Sequence, residues 1–366
     1  PARQTTNQNK IRQINLIWRI FSNTMITLNG QHGGGQILRT ALSLSMVTGE
    51  AFKITNIRGL RKKPGLMRQH LTCVLAAAEI SGGSADGAEL GSTELIFKPG
   101  SIKAGDYHFK IGTAVSTTLL AQTLTPALLH ADAPSTLLLE GGTHNPLAPT
   151  ACFMHRIFLP QLKRMGADLR LDLIRHGFAP AGGGVIECQI QPLKKWKSIH
   201  LTERGDEITR RVTCHLAHVN ETVAERELAA ACKSLQWEKN CKEIVHADDS
   251  SGPGNCLSAM IEFANVSEMA TAHGAYGKSS ERVAKYVTKA MLNHQKSGAV
   301  VGHHLADQLL LPMSLSGSGT MITVTPTNHM LTNIEVIKNF LNVEISIQQD
   351  GGHLHRIKIT PARAGR

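Results

Sequence analysis

Met321-Ile322-Thr323-Val324-Thr325-Pro326-Thr327-Asn328-His329-Met330-Leu331-Thr332-Asn333-Ile334-Glu335-Val336-Ile337-Lys338-Asn339-Phe340-Leu341 changes its period midway. The part up to Thr325 reads as an alternating strand, and from Ile334 onward apolar residues recur at helical spacing. Thr332 or Asn333 is a suitable N-cap for that helix. His329 then falls in a strand-to-helix connection, where backbone N–H groups are free and side chains face a cleft. A neutral imidazole nitrogen can attack phosphorus near pH 7. Alone, a histidine at such a junction is more often solvated or capping, so its neighbours decide.

The same strand, loop, helix pattern occurs near the start. Met25-Ile26-Thr27-Leu28 reads as a strand, Asn29 to Gln36 carries Gly33-Gly34-Gly35, and Ile37 to Met46 reads as a helix. This geometry offers amides to an anion. It is neither a Walker A loop nor a dinucleotide fingerprint. Arg39, one turn into the helix, suits a charge-assisted bond to phosphate. A second strand, Phe52 to Ile57, leads into Arg58-Gly59-Leu60-Arg61-Lys62-Lys63-Pro64-Gly65-Leu66-Met67-Arg68-Gln69-His70, then a helix from Leu71 to Ile80. Arginines at such an edge suit bidentate phosphate binding. A charge run of this kind is otherwise a solvated face.

Strands near Glu94 to Phe97 and Asp106 to Phe109 close a first unit of about eighty residues, a length ordinary for a small domain. A second unit holds the helix Ser116 to Leu129, which carries Gln122. It continues with the strand Thr136 to Glu140, the loop Gly141-Gly142-Thr143-His144-Asn145-Pro146-Leu147-Ala148-Pro149, the helix Cys152 to Met165, and strands Asp168 to Leu173 and Val185 to Ile190. A third unit resumes near Val300, with a helix over Leu305 to Leu311 and strands Glu344 to Gln348 and His355 to Ile359. The pattern suggests an internal repeat. Between Glu203 and Gly298 the composition shifts, with one strand and two helices read there.

The expected organisation is α/β: an N-terminal extension over 1–24, a large domain over 25–202 and 299–366, and an inserted small α/β domain over 203–298. The chain has 366 residues, 42% hydrophobic but only 4% aromatic, so aliphatic side chains must build the core. Its formal charge of +11 favours a polyanionic partner, nucleic acid first. Seven scattered cysteines form no Cys-x-x-Cys pair, which points to reduced thiols in a cytoplasm and away from a structural zinc site. No apolar run reaches transmembrane length.

Five motifs stand in order: Gly33-Gly34-Gly35-Gln36-Ile37-Leu38-Arg39; Lys63 to His70; Arg175-His176-Gly177-Phe178 with Ala181-Gly182-Gly183-Gly184; His304-Leu305-Ala306-Asp307-Gln308; and Asn328 to Asn333. Together they resemble the RNA 3'-terminal phosphate cyclase family over about Met25 to Ile359. The resemblance implies three repeated units of two helices on a four-stranded sheet, with a smaller inserted α/β domain. It implies conversion of an RNA 3'-phosphate to a 2',3'-cyclic phosphate, using ATP and a divalent cation (Mg or Mn). It makes His329 the nucleophile that takes up AMP, with Arg39, Arg58 and Arg61 neutralising charge. It places Gln122, Pro149, His304, Leu305, Ala306, Asp307 and Gln308 in the ATP pocket, Pro149 and His304 on either side of the adenine.

Two departures stand out. His32 occupies the place before the glycines where relatives carry an acidic residue that helps hold the metal, and no metal ligand is named by the sequence. His144 replaces an aspartate. Both changes are expected to remove negative charge beside the triphosphate and to weaken the activity. The expected partners are RNA with a 3'-phosphate end and ATP, with no membrane and no stable protein partner. The alternative is a non-catalytic cyclase-like RNA-binding protein of ribosome biogenesis, a class that lacks the nucleophilic histidine. A sugar-acid transferase on the related fold of the enolpyruvyl transferases finds no support in the motifs.

Overall fold

A computed structural model describes residues 25–112 and 115–362. The extension expected over 1–24 lies outside the described residues. The chain is mixed α/β, with four four-stranded sheets. The first sheet contains β1 (Ile26–Asn29), β2 (Phe52–Thr55), β3 (Ser84–Asp86) and β4 (Leu95–Lys98), in the order β1-β2-β4-β3. The second contains β5 (Asp106–Lys110), β6 (Ser135–Gly141), β7 (Leu169–Arg175) and β8 (Gly184–Ile190), in the order β5-β6-β8-β7. The third joins β9 (Ile199–Leu201) to β14 (Gly319–Val324), β16 (Leu354–Pro361) and β15 (Val343–Gly351). In all three the first two strands run parallel and the remaining pairs antiparallel.

The parallel pairs need a crossover, and a helix supplies each one. They are α1 (Gly35–Thr48) between β1 and β2, α3 (Thr117–Leu128) between β5 and β6, and α7 (His303–Leu315) before β14. The return helices are α2 (Arg68–Ser81), a helix over 151–164 (α4) with a π-helical turn at Met154–Phe158, and α8 (Asn328–Phe340). Strand β6 shows why each sheet covers helices on one face. Its residues alternate buried and partly buried, with Leu137 and Leu139 inward against Cys188 and Ile186.

Helix α1 lies at the centre, with almost every residue after Gln36 buried. An all-round buried helix must satisfy its polar groups internally. Ser43 Oγ donates to the Thr123 carbonyl at 2.7 Å, and Thr40 Oγ1 donates to Asn333 Oδ1 at 2.7 Å. The second bond ties α1 to α8.

The fourth sheet has the order β11-β10-β12-β13. It contains β10 (Glu207–Ala217), β11 (Lys242–His246), β12 (Gly254–Phe263) and β13 (Glu268–His273), with helices α5 (Glu221–Leu235) and α6 (Ser280–Ser297). Most of its buried apolar residues, Val212, Leu228, Leu257, Val283 and Val287 among them, form a core separate from the main one, while Met260, Val266 and Met269 pack into the main core. Where this segment leaves and rejoins the rest, Arg204 Nε donates to the Ala299 carbonyl at 2.7 Å and Arg204 Nη2 to the His294 carbonyl at 3.0 Å. Among the described residues no helix is long and apolar enough to cross a membrane.

Two of the shifts from the sequence boundaries bear on the sheets and the site. Asp106–Lys110 opens the second sheet instead of closing the first; the missing strand of the first sheet is Ser84–Asp86. Helix α8 begins at Asn328, capped by Thr327, whose side chain accepts from Met330 N–H. Neither Thr332 nor Asn333 caps it. Thr332 bonds back to the Asn328 carbonyl inside the helix, and Asn333 is buried against Thr40.

Candidate active site

The Thr327 cap places His329 in the first turn of α8, where amides point outward and the helix dipole is positive. The ring is exposed, about half accessible, at 50%. Its Nδ1 lies 3.6 Å from Asp307 Oδ2 on α7. Its Nε2 faces the glycine loop: a Cβ on Gly34 would lie 3.7 Å from that nitrogen and 3.2 Å from Arg61 Nη2. So α8, α7, the glycine loop and the basic loop converge on one imidazole ring, α7 at Nδ1 and the glycine loop at Nε2.

Asp307 is held from its other side. Gln36 Nε2 donates to Asp307 Oδ1 at 3.1 Å. Arg39 is partly buried on α1; burial lowers its pKa, while Cys73 and Asp307 act to raise it. Arg39 is therefore coupled electrostatically to Asp307.

Arg58 and Arg61 play different parts. Arg58 has a φ of 55°, and its Nη1 donates to the carbonyls of Lys63 at 2.7 Å and Gly65 at 3.1 Å. It staples the basic loop. Gly65, at φ 80°, packs on the Gly91 backbone, so no side chain fits there. Arg61 is exposed and reaches Gly34.

The remaining expected residues divide similarly. Gln122 Nε2 donates to Gln308 Oε1 at 2.6 Å, linking α3 to α7 beside Asp307. The Pro149 carbonyl accepts from Thr118 Oγ1 at 2.7 Å, at the start of the helix that carries Gln122. His304 is exposed and leans on His303, with ring centroids 3.9 Å apart. Leu305 and Ala306 are fully buried, so only their backbone is available to a ligand. His144 is 1% exposed and stacks on His176, away from the open surface where a triphosphate was expected to meet it.

Two residues join the site that residue-by-residue reading missed. His70 is buried under Gly35, and its Nδ1 accepts from Met67 N–H at 3.1 Å. Burial, then Arg39 and Arg58, pushes its pKa down to about 3, so it packs as a neutral ring. Gln36 and His70 both stand inside quoted motifs, but only the fold shows what they touch.

The family model of RNA 3'-terminal phosphate cyclase matches residues 30–347. The chain belongs to this family. A protein of Ectopseudomonas mendocina (strain ymp) named RNA 3'-terminal phosphate cyclase is 48% identical over 334 residues, 91% of this chain and 98% of that one. One of the same name from Koribacter versatilis (strain Ellin345) is 46% identical over 343 residues, 93% and 97% of the two chains. The enolpyruvyl transferase NikO from Streptomyces tendae aligns at 10% identity over 92% of this chain and 49% of that one, with a TM-score of 0.35, too low to bear on the fold. Membership of the RNA 3'-terminal phosphate cyclase family makes this chain an enzyme of the ligase type. The five motifs lie inside the matched span.

Proposed function

We propose that this chain converts RNA 3'-phosphate ends to 2',3'-cyclic phosphates, consuming ATP, through a covalent AMP adduct on His329. The observation that carries this reading is the open Nε2 of His329, facing Gly34, which separates it from Arg61, with Asp307 on Nδ1.

The carboxylate facing Nδ1 favours the tautomer with its proton there and the lone pair on Nε2. In the first step that lone pair attacks the α-phosphorus of ATP, and pyrophosphate leaves. Arg61, Arg39 and the first-turn amides of α8 face the charge that builds on the phosphoryl oxygens. In the second step an oxygen of the RNA 3'-phosphate attacks the adenylated phosphorus and frees Nε2. In the third the 2'-hydroxyl attacks the activated RNA phosphorus, losing its proton, and AMP leaves. The 2'-hydroxyl is already held beside its target, which gives the ring closure a high effective molarity. Gln122 and Gln308, with Pro149 and His304, are assigned to the nucleotide.

The divalent cation implied by the family has no dedicated cage among the described residues. Hard cations need several oxygen ligands. Here His32 stands before the glycines, and the carboxylate at the centre, Asp307, is already engaged by Gln36. The one group of three metal-ligating side chains among the described residues lies elsewhere. No step is assigned to a cation.

We also infer that the first three sheets with their helices are copies of one repeated unit, supported by their shared strand order. Residues 203–298 are then an inserted domain, supported by their separate core.

Incubation with α-labelled ATP tests the reading. Wild-type protein is expected to take up acid-labile, alkali-stable label, and His329→Ala to take up none. Label that survives in His329→Ala, or wild-type protein that takes up none, overturns it. The non-catalytic alternative predicts the second result, with RNA binding retained.

A further inference from the structure

Four side chains from four separate elements meet where the second sheet touches the fourth. His144 comes from the loop after β6, Cys152 from the start of α4, His176 from just past β7, and His215 from β10. Ring nitrogens of the three histidines all lie within 4.8 Å of one another. Cys152 Sγ lies 3.4 Å from His144 Nε2 and 3.3 Å from His215 Nε2. His176 Nε2 lies 3.0 Å from His215 Nδ1. Nothing in the proposed reaction uses these groups.

We propose that His144, His176, His215 and Cys152 form a binding site for one transition-metal ion of the zinc class. Zinc takes four nitrogen or sulfur ligands in a tetrahedron. With Zn–N of about 2.0–2.1 Å and Zn–S of about 2.3 Å, neighbouring ligand atoms stand about 3.3–3.6 Å apart. The two sulfur-to-nitrogen distances match that edge. His176 stands farther off: its 3.0 Å contact is with His215 Nδ1, not with the Nε2 that faces Cys152, so its side chain must swing in to complete the tetrahedron.

The supporting shell fits as well. His144 Nδ1 lies 3.0 Å from Thr143 Oγ1, which accepts from Gly177 N–H at 2.9 Å. Donation from Nδ1 to that oxygen leaves the Nε2 lone pair turned toward Cys152, the arrangement common behind metal-bound histidines. His144 and His215 are buried, and His176 and Cys152 are partly so. Asp249 stands near His176, and Glu243, already paired with Arg211, stands near His215 together with Arg156.

Loading replaces the Cys152 thiol proton, which passes to solvent, and leaves a thiolate–metal bond. No oxidation state changes. Because His215 belongs to the segment with its own core, the ion would pin that segment to the end of the second sheet. Ligands so scattered in sequence escape spacing rules.

The test uses the untagged full chain. Elemental analysis after growth with zinc is expected to give about one zinc per chain. Titration of the apoprotein with Co²⁺ is expected to give the intense visible bands of a tetrahedral site and a near-ultraviolet thiolate-to-cobalt band. Cys152→Ser should remove the thiolate band. His176→Gln, partly exposed and so tolerant of change, should weaken Co²⁺ binding at least about tenfold, the low end of what losing even an outer-shell partner costs. His329→Ala should bind metal as wild type does. Cys241→Ser should not alter the thiolate band, although Cys241 lies 3.6 Å from Cys232. Absence of bound zinc together with absence of tetrahedral cobalt bands overturns the proposal. So do bands indifferent to both Cys152→Ser and His176→Gln; the four groups are then only a chain of hydrogen bonds ending on Thr143.

Discussion

His329 Nδ1 faces Asp307 Oδ2 at 3.6 Å while His329 Nε2 faces the space beside Gly34. The two nitrogens are thereby given different work. Asp307→Asn removes the charge that favours a proton on Nδ1 and that offsets the positive ring formed on adenylation. Single-turnover labelling with α-labelled ATP should slow by about tenfold to a hundredfold, with little change in the ATP concentration needed. An unchanged rate would separate Asp307 from the nucleophile.

Gly34 is needed for room and not for its backbone. Its φ of −89° and ψ of −156° are extended, a conformation open to other residues. A side chain there would enter the gap between Arg61 and His329. Gly34→Val is expected to cut adenylation by more than a hundredfold while the thermal midpoint moves by about 2 °C or less, as for a surface change. A large loss of stability would show a packing role instead.

The Thr40–Asn333 bond sets α8 against α1 from within the core. Thr40→Val keeps the shape but leaves the buried Asn333 oxygen without that donor. Urea unfolding should show a loss of about 1–3 kcal/mol. Adenylation should fall too, because His329 is one turn from Asn333 on the same helix.

Buried histidines set the acid limit. The pKa is pushed down to about 4 at His215 and His273 and to about 3 at His70 and His294, in each case first by burial. An unfolded histidine titrates near 6.5. Each folded value is depressed, so each group's stability is complete above about pH 6.5 and is lost as pH falls toward its folded value. For His215 alone this amounts to about 3 kcal/mol. Glu227 and Glu268 act oppositely: burial raises both to about 7, so they cost stability as pH rises from about 4.5 to 7. Four rings outweigh two carboxyls. The urea midpoint of the metal-free protein, followed from pH 7.5 to 4.5, should fall steadily below about 6.5; a rise would refute the balance.

Strong periodicity made much of this chain readable. Helix α2 and strand β6 sit within a few residues of where their apolar spacing puts them. What escaped was short or polar. Ser84-Ala85-Asp86 carries too little apolar character to read as a strand, yet β4 pairs with it. Strands β11, β12 and β13 were hidden in a segment read as one strand and two helices. At the site, His329 was legible because it falls where a strand gives way to a helix, although it sits in the helix's first turn and not in the connection. The helix start was not, since Thr327 and Asn333 are both chemically fit to cap, and only the partner across the core, Thr40, claims one of them. His144 read, from the family resemblance, as a change beside a phosphate; its contacts with His176 and His215, 32 and 71 positions away, were not legible from spacing.

The Arg204 clasp has an engineering consequence. By gripping the carbonyls of Ala299 and His294, it brings the exit and the return of the 203–298 excursion to a single gate. Strands β9 and β14 pair directly across that gate. A short bridge spliced over it would therefore excise the whole excursion without breaking a ladder, and foreign cargo could be stitched in at the same seam.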